Sequence, residues 1–230
     1  AFCLAGYEFF QMMTAGGYKP SHVLGLALIV LLLADARYPS RQLIRPAVSA
    51  ILVLSLLWQI FQKHTLTPAV DWALTVAGGL YLGWVGGFFI SLRDAAQGMS
   101  WLALVFLPTW ACDTAAYFVG LSLGRHKLLP RISPGKSWEG TVGGWLAGLA
   151  LTLLVGRFIG LNLIHSLALG ALVGIAAPLG DLAISMMKRQ VGVKDSSHLI
   201  PGHGGMLDRI DSLLFVVVVV YCYAFWLGSI

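Results

Sequence analysis

The sequence predicts an all-α fold: a polytopic integral membrane bundle of seven or eight membrane helices, forming one transmembrane domain over residues 1–230. Composition is the first observation. The 230 residues are 58% hydrophobic and only 11% charged, with a mean hydropathy of +0.81. A soluble domain carries about 25% charged residues. The second is continuity: the apolar runs are long and unbroken rather than alternating, which argues for helices and against strands. The third is the absence of any linker, low-complexity tract or repeat between them.

The apolar stretches follow in order. Ala1–Met13 and Ser21–Ala34 fall short of the roughly 20 residues that cross a bilayer, which suits truncated, tilted or re-entrant segments. Ala47–Phe61 and Trp72–Leu92 complete an N-terminal set of helices in residues 1–100. Trp101–Leu123, Val142–Ile164, Ser166–Met187 and Leu213–Ile230 form the second part, residues 101–230, and carry the candidate site with its loops. The absence of an initiator Met at Ala1 points to a missing N-terminal portion. The start has no basic segment or small-residue cleavage site of a secretory signal. Cys3, Cys112 and Cys222 lie in apolar surroundings without paired spacing, and are read as buried small hydrophobes.

The formal charge is +5, and its distribution sets an orientation. If each apolar stretch crosses once, Lys19, Lys63, the Arg125–Lys136 loop and the Lys188–Arg209 loop share one face. Arg37, Arg41, Arg45, Arg93 and Arg157 share the other. The positive-inside bias makes the first face cytoplasmic. The run of arginines from Arg37 to Arg45 works against that assignment without reversing it.

Polar groups inside apolar stretches must face a cavity or a partner. Glu8 fits a structural or a functional role equally well. Asp113 and Asp181 are candidate cavity groups. Pro178 loosens the helix before Asp181, and Ser185 and Lys188 follow on the same face. Between two apolar stretches, Ser185–Asp211 reads SMMKRQVGVKDSSHLIPGHGGMLDRID and holds three of the ten acidic residues in the chain. Asp208 and Asp211, three apart, can ligate a hard cation. Gly204-Gly205 permit a turn whose N–H groups point at an anion. Asp195 is either a ligand or, preferably, a partner of Lys194 or Arg189. His203 is open to three roles (ligand, general base, phosphate donor), with phosphate contact preferred because Mg²⁺ favours oxygen. His198 reads as a solvated loop residue.

A second polar loop runs from Gly124 to Gly144. Its Ser133-Pro134-Gly135-Lys136-Ser137 reads as a tight turn presenting an ammonium between two hydroxyls. It is not a P-loop, since G-x-x-x-x-G-K-[ST] is absent. Gly140, Gly143 and Gly144 suggest close helix packing. Carboxylates, surrounding basic residues and an entrance at headgroup depth together fit phosphoryl or nucleotidyl transfer. A cation transporter could also use Asp113 and Asp181, but has little use for four basic residues packed around its acidic site. The D-G-x-x-A-R pattern of the CDP-alcohol phosphotransferases is missing.

Ser185-x-x-Lys188-Arg189, Lys194-Asp195, Pro201-x-His203-Gly204-Gly205 and Asp208-Arg209-Ile210-Asp211 together resemble the signature of the phosphatidate cytidylyltransferases. Trp110-x-x-Asp113-Thr114-x-x-Tyr117 and Ile132-Ser133-Pro134-x-Lys136-Ser137-x-Glu139-Gly140 resemble that family's other motifs. Cys112 stands where asparagine is common, and Ser137 where threonine is usual. The resemblance implies condensation of CTP with phosphatidic acid to CDP-diacylglycerol and pyrophosphate, with Mg²⁺ and a monovalent cation such as K⁺. It also implies a homodimer in the lipid bilayer of the bacterial inner membrane, active-site loops cytoplasmic and no nucleic acid as partner. Carried over by motif, Asp181, Asp208 and Asp211 would hold metal with Ser185 beside them. Lys188, Arg189, Lys194 and Arg209 would hold phosphates, Ser133, Lys136 and Ser137 would complete those contacts, and Asp113 would shape the cavity.

Overall fold

The computed structural model describes residues 1–39, 44–63, 65–197 and 204–228. Among them are eight helices: α1 (Phe2–Ala15), α2 (His22–Arg37), α3 (Ile44–Ile60), α4 (Pro68–Asp94), α5 (Gly98–Leu123), α6 (Trp138–Phe158), α7 (Leu163–Gln190) and α8 (Leu207–Trp226). Each coincides with one apolar stretch of the sequence. Among the described residues, five (α4 to α8) are long and apolar enough to cross a membrane, while α3 is a shorter apolar helix. Large apolar side chains such as Val53, Trp58, Leu154 and Phe158 are exposed, as expected of helix faces solvated by lipid. The chain is an integral membrane protein.

The chain divides into two compact units. The first comprises Ala1–Ser91 and Met187–Ile210. In it α4 carries two glycine rows at helical spacing. A Cβ at Gly79 or Gly83 would come within 2.7 Å or 2.9 Å of α2, at Leu28 and Ile29 respectively. One at Gly78 would come within 2.5 Å of Phe9 on α1. Helices in lipid gain little from hiding apolar surface from one another, so they associate through such close backbone approach. Asp71, fully buried on α4, accepts the Lys19 N–H at 2.8 Å and the Thr65 hydroxyl, fastening both loops to the helix.

The second unit comprises Leu92–Met186 and Asp211–Ile230. Here α6 lays Gly140, Gly144 and Gly148, one turn apart, against α5: added Cβ atoms would meet the carbonyl oxygens of Ala116 and Cys112 at 2.7 Å and Cys112 Sγ at 2.5 Å. The packing role expected of Gly140, Gly143 and Gly144 holds, and extends to Gly148. Between α5 and α6 the polar loop forms a small antiparallel hairpin, β1 (Lys127–Leu129) with β2 (Ser133–Ser137).

Strands were not expected, and the turn lies elsewhere than the sequence suggests. It falls at Pro130-Arg131, with the Ile132 N–H bonded to the Leu129 carbonyl at 3.1 Å. Proline at the second position of such a turn has its φ already set. Pro134 and Gly135 instead sit in β2. Lys127 pairs with Ser137 and Leu129 with Ser133, so β2 carries two more residues than the strand it faces. The excess is a bulge, which proline tolerates because it has no N–H to place in the ladder. The cysteine reading also needs correction: Cys112 is buried, whereas Cys3 and Cys222 are exposed. In lipid an apolar side chain can face outward at no cost.

Gly144→Val should lower the thermal midpoint in detergent, reflecting about 1–3 kcal/mol of overpacking strain. Gly135→Ala, where a Cβ meets nothing within 4 Å, should leave it unchanged.

Candidate active site

A cavity of about 690 Å³ lies within the second unit, lined among others by Asp113, Tyr117, Lys127, Ser133, Lys136 and Asp181. That volume is typical of ligand sites. The β2 bulge directs Lys136 into it, where Nζ lies 2.6 Å from Asp181 Oδ2 and 3.4 Å from the Pro178 carbonyl. Pro178 also lacks the N–H that would bond the Gly174 carbonyl, and Gly174 lines the same space. Asp181 Oδ1 accepts the Ser185 hydroxyl at 3.0 Å, one turn along α7. The α8 backbone is close: a Cβ on Gly180 would come within 2.6 Å of the Asp211 carbonyl. Aromatic and aliphatic groups, Tyr117 and Leu121, share the cavity wall with these charges.

Ser137, expected among the phosphate contacts, caps α6. Its side-chain oxygen accepts the Gly140 N–H at 3.1 Å, and its carbonyl takes the Thr141 hydroxyl at 2.9 Å. Glu139, two residues into the helix, binds back to the loop, with His126 Nδ1 at 2.6 Å and the His126 N–H at 3.2 Å. The strands are thereby tied to the start of the helix.

The first unit holds a second pair of lysine and carboxylate. Lys188 Nζ lies 2.7 Å from Asp208 Oδ1, with side-chain exposures of 9% and 13%. Asp208 Oδ2 accepts the Ser196 N–H and hydroxyl at 2.9 and 2.8 Å and the Gly205 N–H at 3.0 Å. One carboxylate therefore gathers the end of α7, the following loop and the start of α8. Arg189 donates to the Val193 carbonyl at 2.8 Å and so closes the turn after α7. Lys194, Asp195 and Arg209 are exposed.

Sequence reasoning left Glu8 undecided; the structure gives it partners. It is fully buried on α1, and it accepts the Met206 and Leu207 N–H groups at 2.9 and 2.8 Å and the Ser197 hydroxyl at 2.7 Å. The N–H groups opening α8 do meet an anion, as the glycine pair suggested, but it belongs to the chain itself. Gly204 takes a φ of +73°, which favours glycine.

A model of the cytidylyltransferase family matches residues 1–227. The chain belongs to this family. Over 131 residues it is 46% identical to a phosphatidate cytidylyltransferase of Haemophilus influenzae, covering 54% of this chain and 46% of that protein. With the Bacillus subtilis enzyme of that name it shares 38% over 178 residues, 76% of this chain and 65% of the relative. With the Staphylococcus aureus one it shares 34% over 201 residues, 86% and 76% of the two chains. The chain thus spans about half to two thirds of the length of the first two relatives.

In this cytidylyltransferase-family chain, the motif residues form two local clusters. Asp113, Ser133, Lys136, Ser137 and Asp181 line the cavity of the second unit, while Lys188, Gly205 and Asp208 are joined in the first. Asp211, mostly buried, takes the Ser212 N–H at 2.6 Å. His203 and His198 lie outside the described residues. The expected metal ligands, Asp181, Ser185, Asp208 and Asp211, offer only oxygen, the donor chemistry of a hard cation. Among the described residues, no three His, Cys, Asp or Glu side chains are gathered as a ready-made cage. Asp181 and Asp208 are each neutralised by a lysine instead. The donors still fit Mg²⁺, which usually keeps several waters and takes one or two carboxylates with substrate phosphates.

Lys188→Met strands a largely buried carboxylate and should cost about 3–5 kcal/mol, read as a large fall in thermal midpoint. Lys188→Met with Asp208→Asn should recover most of it, because the amide oxygen still accepts from Ser196 and Gly205. Equal losses in both variants would assign the effect to packing rather than charge.

Proposed function

We propose that this chain transfers the cytidylyl group of CTP to phosphatidate, giving CDP-diacylglycerol and pyrophosphate. The observation carrying the proposal is the Lys136–Asp181 pair in a cavity that combines these charges with Tyr117 and Leu121. Such a wall suits an amphiphile with a phosphate head. Family membership and the names borne by the bacterial relatives support the same reading.

A phosphatidate phosphate oxygen bonds to the α-phosphorus of CTP. The bond from that phosphorus to the α,β-bridging oxygen breaks, and pyrophosphate leaves with the electron pair. Lys136, Lys188, Arg189, Lys194 and Arg209 supply positive charge for the phosphates, with Ser133 and Ser137 adding hydroxyls and Asp113 shaping the cavity. Preorganised charge of this kind stabilises the developing negative charge on the leaving group. Asp181, with Ser185 beside it, together with Asp208 and Asp211, would hold Mg²⁺; when bound it screens phosphate charge and aligns the reacting groups. A monovalent cation such as K⁺, a homodimeric assembly, and a bacterial inner membrane with the polar loops facing the cytoplasm complete the proposal.

Purified protein given CTP and phosphatidate in mixed micelles should release pyrophosphate only with Mg²⁺. Label from CTP should enter the lipid as CMP; label entering as the γ-phosphate would instead identify a lipid kinase. Asp208→Asn should nearly abolish the reaction in folded protein, and retention of most activity would remove Asp208 from the metal site. Lys136→Ala should raise KM for a phosphate-bearing substrate roughly tenfold or more, about the worth of one charged hydrogen bond. An unchanged KM would leave the hairpin without a substrate role.

A further inference from the structure

Glu8 is separated from its partners by nearly the whole chain, at 188 to 199 positions along the sequence. Its carboxylate is fully buried. Oε1 takes the Ser197 hydroxyl and the Met206 N–H; Oε2 takes the Leu207 N–H at 2.8 Å and lies 3.4 Å from the Ser196 hydroxyl. Ser196 in turn donates its N–H and hydroxyl to Asp208 Oδ2, and Asp208 Oδ1 holds Lys188. Two carboxylates, one on α1 and one on α8, thus grip the same loop from both ends. Gly205 allows this grip: a Cβ there would lie 2.2 Å from Ser196 Oγ and 2.6 Å from Glu8 Oε2. Its place in the sequence motif has a steric reason independent of substrate.

We propose that Glu8 is a positioning residue for the transfer reaction, fixing Ser196, Ser197 and the first turn of α8 so that Asp208 and Lys188 are held ready for the nucleotide. The proposal rests on the cytidylyl-transfer reading for its catalytic consequence, and on geometry alone for the clamp. A capping carboxylate satisfies N–H groups that a helix start otherwise leaves open, and its charge complements the helix dipole. In Glu8→Gln one oxygen still accepts, but the amide NH₂ faces donors. The first turn of α8 then loosens without a change of volume.

The first unit contains its own control. Asp71 is equally buried and also binds a backbone N–H, yet its partners are Lys19 and Thr65, neither of them a residue of the polar run. Full-length Glu8→Gln and Asp71→Asn are compared in detergent for thermal midpoint, for KM toward CTP in pyrophosphate release, and for amide hydrogen exchange over residues 205–209. Both should unfold at lower temperature. Only Glu8→Gln should raise KM, by about tenfold, and speed exchange at Met206 and Leu207 by a similar factor. Unmoved KM and exchange in folded Glu8→Gln would overturn the proposal, as would an equal rise of KM in both variants. If Glu8→Gln does not fold, Glu8→Asp, which withdraws both oxygens by one methylene, replaces it with the same outcomes. Wild type that releases no pyrophosphate would refute the cytidylyl-transfer reading itself, leaving the exchange rates to judge the clamp.

Discussion

A carboxylate removed from water must be met by donors or by a cation, and this chain has few carboxylates and spends several of them inside. Glu8 and Asp71 are fully buried. Asp181 and Asp208 each meet a lysine. An unpaired buried charge would cost several kcal/mol, so the position of each acidic group dictates which segments come together. Glu8 and Asp208 fasten the loop after α7, Asp71 fastens the loops flanking α2 and α4, and Asp181 draws in the hairpin through Lys136. The polar framework of each unit is this set of contacts.

Helix packing supplies the rest. A bundle in lipid cannot rely on hiding apolar surface, because its surroundings are as apolar as its interior. The glycine rows on α4 and α6 answer that problem by admitting neighbouring side chains and carbonyls at distances no Cβ allows. In the second unit this brings α5, which carries Asp113, against α6, which is entered through the Ser137 cap. The cavity is therefore walled partly by glycine backbone, and its polar groups project from rigid helices and a bulged strand.

Hydropathy made the helices legible, since each apolar stretch became one helix with ends shifted by six residues at most. The motif residues were also readable as candidates, because charged groups beside apolar runs stand out. Partners were not readable. Nothing in a local window says that Lys136 meets Asp181 or that Glu8 meets Met206, since those contacts depend on how helices far apart in sequence pack. The hairpin was misread because Pro134-Gly135 looks like a turn, whereas Pro130 supplied it and the later pair became a bulge. Ser137 lines the cavity and also caps α6, a role its position before the helix, with Glu139 in the first turn, signals as well. Cys3 and Cys222 were placed inside by a rule for water-soluble proteins that does not govern a lipid-facing surface.

The long-range partnership of Glu8 has a consequence for biosynthesis. Residues emerge from the ribosome at about 5–20 per second, so the N–H groups of Met206 and Leu207 are made roughly 10 to 40 s after the side chain they cap. Until then the Glu8 carboxylate on α1 lacks the backbone donors that answer it in the folded unit, and burying it costs several kcal/mol. Final seating of α1 therefore follows the synthesis of α8, and the earlier helix is completed by the later one.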